Sequence, residues 1–416
     1  MTARTEAGIP ASFWKRYYYD YLHDFLAFLV PPGASERDYA VSIDELGHVT
    51  DVGDFLRRAR ENLNADGRIV ITQYSALWEP ILRLASHIGL RNGLIEQNWL
   101  SKQDVKNFAY LSGLETVNSG TKMIMPIYIP GLSELMNIVI ANIWPFNHFG
   151  LFNYFVLRKA GPRVAEPRKG QASISIIVPA RNESGTIERI ARELPELGSG
   201  MEIIFIEGNS TDDTYGEIER VAGSFAGIKT GAGKRTIKYA KQLGKGKGDA
   251  VRKGFDMATG DILAIYDADM TVPAAELRGF YDAIVSNKAD FVNGSRLVYP
   301  LENDSMRVLN FLGNKFFSMA FSWILGQPLK DTLCGTKVLW RSDYEKIKAG
   351  RAFFGDFDPF GDFDLLFGAA KLNLKIIDLP VHYKQRVYGT TNISRWKHGW
   401  LLLRMTAFAA RKIKFI

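Results

Sequence analysis

The chain has 416 residues, 46% hydrophobic and 23% charged. That balance excludes a disordered, collagen-like or coiled-coil protein and leaves room for two or three domains. A single cysteine, Cys334, excludes an internal disulfide framework and a cysteine-rich zinc domain. Lys and Arg outnumber Asp and Glu by 52 to 45, a net charge of +7 that points to anionic partners.

Residues 1–6 lead into no continuous apolar core, so no signal peptide is expected. No run reaches the ~18 apolar residues of a membrane span. The nearest, 134–157, is broken by Pro145, Asn147 and His148. Residues 308–325 carry Asn310, Asn314 and Lys315, and residues 399–416 carry Arg404, Arg411, Lys412 and Lys414. These last two read as amphipathic helices, either packed on a core or lying on a membrane surface. Tyr39–Ile43 and Gly67–Thr72 read as strands, and Asp51–Asn64 and Trp78–Gly89 as helices. Ser101 has the chemistry to cap a further helix. This alternation predicts an α/β layer over 1–160. Charge, Pro and Gly then cluster at 161–171, the expected linker to a second domain over 172–416.

The second half opens with Ser173–Pro179, a buried strand ending in the polar turn Ala180-Arg181-Asn182-Glu183. Met201–Ile206 is another, ending in Glu207-Gly208-Asn209-Ser210. Asp261–Tyr266 is a third, ending in Asp267-Ala268-Asp269-Met270-Thr271. Apolar strands that end in polar loops predict a mostly parallel sheet with a site along its carboxyl edge. Side chains at i and i+2 of an extended segment share a side. Asp267 and Asp269 therefore crowd two carboxylates together, and a divalent ion relieves the repulsion. Hard oxygen ligands select Mg²⁺ or Mn²⁺. Lys245–Arg252 lacks the Gly-Lys-Ser/Thr ending of a phosphate loop. It is either a nucleotide-contacting helix start or a solvated basic turn.

The ordered motifs are Pro179-x-x-Asn182-Glu183, Glu207-x-x-Ser210-x-Asp212, Gly246-Lys247-Gly248, Asp267-x-Asp269, Gly294-Ser295-Arg296, Asp331-x-x-Cys334-Gly335-x-Lys337 and Arg386-x-Tyr388-Gly389. With them, 172–416 resembles inverting glycosyltransferases of family two with the GT-A fold, in particular the polyprenyl-phosphate sugar transferases. The resemblance implies that Pro179, Arg181 and Glu183 line the nucleoside, with Glu183 at the ribose. It implies that Asp267 and Asp269 hold the metal against the donor diphosphate, with Ala268 behind the nucleotide. Thr271 stands where the mannose synthases of this group carry a metal-ligating Gln. Arg296, Arg307 and Arg386 match arginines near the phosphates, and Asn392 matches a Lys. The usual Asp-Asp-Gly-Ser is replaced by Glu207-Gly208-Asn209-Ser210, which moves the base-reading carboxylate to Glu207 or removes it.

Gly355–Leu366 sets four acidic residues among aromatics. Asp362 and Asp364 stand where family-two enzymes with hydroxyl acceptors place a catalytic base. An apolar setting raises a carboxyl pKa, which suits that role, although Asp362 is equally placed to cap a helix over 363–372. His382 and His398 read as structural, and Trp396 and Trp400 fit either a core or a membrane interface. The first half, through Phe13–Tyr19, Asp38–Val49 and the strand at 67–72, resembles the second half of class I S-adenosylmethionine-dependent methyltransferases. Residues 1–165 contain no Gly-x-Gly, so the resemblance implies a shortened domain without cofactor, used for packing or homo-oligomer formation. The expected protein is a metal-dependent glycosyltransferase with a nucleoside diphosphate sugar as donor. Its acceptor is a lipid phosphate at the inner face of the cytoplasmic membrane, with a soluble hydroxyl acceptor as the alternative. Nucleic acid is not an expected partner, because the basic residues are scattered and no reader motif occurs.

Overall fold

Two sheets form, one before residue 160 and one after 172. The computed structural model describes residues 13–89, 98–161, 172–225, 229–230, 233–299, 308–353, 361–386, 388 and 395–416. From residue 162 the expected linker lies outside them. Two compact units emerge, 1–163 with 371–373 and 411–416, and 164–370 with 374–410.

The first unit runs α1 (Phe13–Leu29), β1 (Tyr39–Ile43), α2 (Val52–Asn62), β2 (Arg68–Tyr74), α3 (Glu79–His87), α4 (Lys102–Leu111), β3 (Leu114–Lys122), the single turn α5 (Leu132–Glu134) and β4 (Phe152–Lys159). Its sheet has the order β1-β2-β4-β3. Strands β1 and β2 are parallel, and β4 is antiparallel to both its neighbours. The expected Ser101 cap forms, as a reciprocal capping box with Asp104, and Asp51, read as the first helical residue, instead caps α2 by accepting from the Asp54 amide at 2.8 Å.

The second unit contains β5 (Ile174–Ala180), α6 (Ile187–Glu193), β6 (Gly200–Glu207), α7 (Thr214–Ser224), β7 (Lys229–Thr230), β8 (Gly233–Lys241), α8 (Lys247–Met257), β9 (Ile262–Ile265), α9 (Leu277–Val285), β10 (Phe291–Ser295), α10 (Val308–Leu325), β11 (Lys337–Trp340), α11 (Arg341–Ala349), α12 (Phe363–Lys371), β12 (Ile376–Pro380) and α13 (Arg395–Ala409). The sheet order is β12-β10-β11-β9-β5-β6-β8-β7. The pairings of β5 with β6 and β9 are parallel, as the apolar runs predict, and β8 adds to β6 in parallel as well. Strand β11 is antiparallel to β9 and β10, so the sheet is mixed. Both faces of the central strands are covered, and Ile174, Ile176, Ile177 and Val178 are all fully buried. Gly254 lets α8 approach β5 closely, since a Cβ there would sit 2.5 Å from Ile177 Cγ2. Strands β5, β6 and β9 all end at one edge, and that edge carries the candidate site.

Candidate active site

Strand β9 stops at Ile265, and Tyr266 leads directly into Asp267. Tyr266 is buried and donates to the Val272 carbonyl at 2.7 Å, closing the loop that holds Asp267 and Asp269. Met270 takes a positive φ of 54° to make that turn. Thr271 fastens Asp269 Oδ1 through its amide at 3.1 Å and its hydroxyl at 2.9 Å. Its hydroxyl is thereby committed to Asp269. Ala268 is buried behind the pair.

Each carboxylate meets a cation. Lys247 Nζ, from the first turn of α8, lies 2.6 Å from Asp267 Oδ1. Burial works against the Lys247 ammonium. Asp267, Asp362 and Asp269 outweigh it and hold its pKa above the ordinary lysine range. Burial likewise opposes the Asp267 carboxylate, but Lys247, Lys337 and Arg296 hold its pKa below the ordinary value. Gly335 makes this pair possible. A Cβ there would fall 2.0 Å from Asp267 Oδ2 and 2.2 Å from Lys247 Nζ.

Arg386 bridges two strand ends. It donates to Asp269 Oδ2 at 2.9 Å and to Glu183 Oε1 at 2.6 Å. Glu183 is buried, and its Oε2 has no hydrogen-bond partner. Burial pushes its pKa up to about 7; Arg386 opposes the rise and Asp269 adds to it. The turn before it is tightly tied. Asn182, at φ 57°, accepts from the Thr211 amide at 2.7 Å, and its own amide donates to the Ser210 hydroxyl oxygen at 3.0 Å. Asp212 accepts from the Ser184 and Thr214 amides at 3.3 and 3.1 Å. The Ser-x-Asp motif is therefore an internal brace between the β5 and β6 loops.

Glu207 closes β6 as a buried residue and accepts from the Ser210 amide. Pro179 is half-buried beside it in β5, and Arg181 is exposed. Ser184 and Tyr388 share a hydroxyl–hydroxyl hydrogen bond of 3.0 Å. Arg296 grips Asp331 with its amide, Nε and Nη2 at 3.1, 2.7 and 2.8 Å, and Asn314 Nδ2 adds a fourth bond to Asp331 at 3.0 Å. Both members of this ion pair are largely buried, and Asp331 takes the Nε and Nη2 of Arg296. Arg307 and Asn392 lie outside the described residues, as does the 354–360 part of the acidic–aromatic segment.

Asp362 and Asp364 are also held by cations. Lys337, fully buried, lies 2.9 Å from Asp362 Oδ1, and Arg351 donates to Asp364 Oδ2 at 2.8 Å. Sequence reasoning assigned no role to Lys337, Arg351 or Gly335. A signal for Lys337 was present, because a lysine opening the apolar strand Lys337-Val338-Leu339 needs an acid in reach. His382 pairs with Glu276 at 2.7 Å and stacks on Tyr299. Among the described residues no group of three or more His, Cys, Asp or Glu gathers in metal-binding range. Protein ligation of a metal at this edge would rest on Asp267 and Asp269.

Residues 175–347 match the profile of the Glycosyl transferase family 2. The second unit therefore carries a family 2 glycosyltransferase domain, built at the carboxyl edge of an α/β sheet. Curated relatives include the glycosyltransferase AglD of Haloferax volcanii, 24% identical over 230 residues, 54% of this chain and 35% of that protein. Another is a dolichol-phosphate mannosyltransferase of Pyrococcus furiosus, 28% identical over 127 residues, 30% of this chain and 33% of that protein. The chain thus spans about a third of the length of each. Among solved structures it is similar to glucosyl-3-phosphoglycerate synthase from Mycobacterium tuberculosis in complex with phosphoglyceric acid. The TM-score is 0.42 at 17% identity, over 59% of this chain and 81% of that one.

Proposed function

We propose that the chain is an inverting, divalent-metal-dependent glycosyltransferase that moves a sugar from a nucleoside diphosphate to a polyprenyl phosphate at a membrane surface. The observation that carries the reading is the pair Asp267 and Asp269 at the end of β9, with Lys247 and Arg386 on their outer oxygens. An all-oxygen donor pair suits Mg²⁺ or Mn²⁺, and Gly335 leaves the approach to Asp267 open. The metal, when bound, neutralises the departing diphosphate. Lys247 and Arg386 exchange their carboxylates for phosphate oxygens, a stronger match in charge and, for Arg386, in geometry. Glu183, buried with one unpartnered oxygen, accepts a ribose hydroxyl. Pro179 and Ala268 bound the nucleoside, Arg181 flanks it, and Glu207 lies nearest the base.

Support for a phosphate acceptor comes from two places. A cleft of about 270 Å³ is lined by Leu297, Val298, Lys315, Ser318 and Lys330. It borders the Arg296–Asp331 pair, joins apolar walls to two lysines, and suits an amphiphilic anion. Asp362 and Asp364, the candidate bases, are bound to Lys337 and Arg351, and an ionised phosphate nucleophile needs no base. The first unit, with four strands and no glycine pair, is proposed to be a relic of a methyltransferase domain without its cofactor.

The test is sugar transfer from a panel of nucleotide sugars with Mn²⁺, offered to polyprenyl phosphate and to sugar hydroxyls in parallel. Asp269→Ala should lose transfer by about 100-fold or more with an unchanged melting temperature. Activity within a few-fold of wild type would remove the metal assignment. Transfer to hydroxyl acceptors alone would replace the lipid phosphate.

A further inference from the structure

From Met123 to Gly150 the chain has one Lys, Arg, Asp or Glu, which is Glu134. The described structure of this stretch is inside out. Three of its polar residues, Ser133, Asn137 and Asn142, are buried in the first unit. Asn137 accepts from the Met125 amide at 2.9 Å and donates to the Met125 carbonyl at 2.8 Å. Ser133 bonds the Ile127 carbonyl at 2.8 Å and the Ile129 amide at 2.7 Å. Asn142 accepts from the buried Lys122 Nζ at 2.9 Å. Many of its large apolar residues point outward: Leu132, Leu135, Ile143, Phe146 and Phe149 are exposed, and Trp144 is 76% exposed. A helical surface in water has the reverse pattern.

The face extends further. Trp78 Nε1 donates to the Phe149 carbonyl at 2.9 Å, which joins the end of this stretch to the start of α3. There Leu77, Ile81, Leu84 and Ile88 repeat at helical spacing, and all four are exposed. Soluble monomers rarely leave contiguous apolar surface of this kind uncovered. Basic charge lies in the same unit. The tail 411–416 carries Arg411 and Lys412, both exposed, and its Lys414 acts electrostatically on Lys122, which bonds Asn142 of this stretch.

We propose that this inverted face of the first unit docks on an anionic lipid bilayer. Trp144, Phe146 and Phe149 enter the boundary between headgroups and acyl chains, and the basic tail meets the headgroups. The apolar composition alone would also suit a second copy of the chain. A two-fold interface sets the same patch against itself, so it would bring two basic tails to one seam, whereas an anionic surface neutralises them. The inference deepens the membrane-surface part of the proposed function, but its test needs no sugar transfer.

The experiment is flotation of the full chain with phosphatidylcholine vesicles with and without phosphatidylglycerol, together with sedimentation velocity in the absence of lipid. The wild type should float with the anionic vesicles, more weakly with neutral ones, and lose binding in high salt. Trp144→Glu with Phe146→Glu should lower vesicle partitioning by about tenfold or more at an unchanged melting temperature. Leu84→Glu, on α3, should weaken binding in the same direction and keeps the test decisive should the double variant not fold. Failure of the wild type to float overturns the proposal, as does equal flotation of folded variants. A lipid-free dimer that these substitutions disperse, with no vesicle binding, assigns the face to a second copy instead.

Discussion

Replacing Glu183 by Gln should stabilise the metal-free protein at alkaline pH and leave it unchanged in acid. Glu183 is 5% exposed, and its pKa stands at about 7 rather than its ordinary 4.5. A folded-state pKa above the unfolded one means that the folded chain holds the proton more tightly. Stability is then full below pH 4.5 and falls as the pH rises towards 7. Each pKa unit is worth about 1.4 kcal/mol, so ionisation of Glu183 costs the fold about 3 kcal/mol by pH 8. Gln keeps the shape and removes that cost. Thermal melts of wild type and Glu183→Gln at half-unit steps from pH 4 to 8.5 isolate the effect, because titrating groups not coupled to Glu183 cancel in the difference. The curves should coincide near pH 4.5 and separate by about 5–10 °C at pH 8. A separation that is flat with pH, or a Gln variant less stable at pH 8, would show that Arg386 compensates Glu183 fully and that burial is not the dominant influence.

Gly335→Ala should drive Asp267 and Lys247 apart, because the new Cβ falls within 2.2 Å of both. Donor-dependent turnover should fall by about 100-fold or more while circular dichroism stays native; a change under threefold would mean the pair has room to shift. Asp362→Asn leaves the buried Lys337 without its counter-charge, with the Cys334 carbonyl still accepting from it, and should destabilise by about 3–5 kcal/mol, read as a shifted urea midpoint. Assayed where it remains folded, that variant and Asp364→Asn should each keep turnover on polyprenyl phosphate within about 100-fold of wild type. A folded but inactive variant would make that Asp a base and the acceptor a hydroxyl.

The strands that build the site edge were legible because they are buried on both faces. Ile174–Val178 and Ile203–Ile206 read as apolar runs, and the polar residues that follow can only be loops. Strand β8 was not legible. Gly233–Lys241 alternates lysines with Ile237 and Tyr239, which looks as much like a solvated turn region as a strand. Antiparallel β11 was missed for a different reason: only four residues long, it is specified by its neighbours β9 and β10 rather than by its own pattern. The same limit applies to charge. Asp331 and Arg296 both stood in sequence motifs, yet nothing in a linear chain says that residues 35 apart form a buried fork. Asn373 shows it for topology. It donates to the Leu29 carbonyl and accepts from Arg68, so a turn deep in the second half is counted with the first unit.

The charges at the site edge make a last prediction about the order in which metal and donor bind. Asp267 is neutralised by Lys247, and Asp269 shares Arg386 with a Glu183 that is half-protonated near pH 7. The edge is thus close to neutral before any ligand arrives. A divalent ion entering alone takes the two carboxylates and leaves Lys247 and Arg386 unpaired beside a dication, which is unfavourable in a partly buried site. A nucleoside diphosphate entering alone takes the cations and leaves the carboxylates facing phosphate. Together the two ligands pair every charge, so each should strengthen the other by the same factor. Calorimetry with Mn²⁺ and a nucleoside diphosphate, corrected for their affinity for each other in solution, should give a coupling of at least about tenfold, or about 1.4 kcal/mol. Lys247→Gln should raise affinity for Mn²⁺ alone and lower it for the diphosphate, since the competing cation is gone and a phosphate partner with it. Independent binding of the two ligands, or a Lys247→Gln variant that binds Mn²⁺ more weakly, would refute the charge-exchange account.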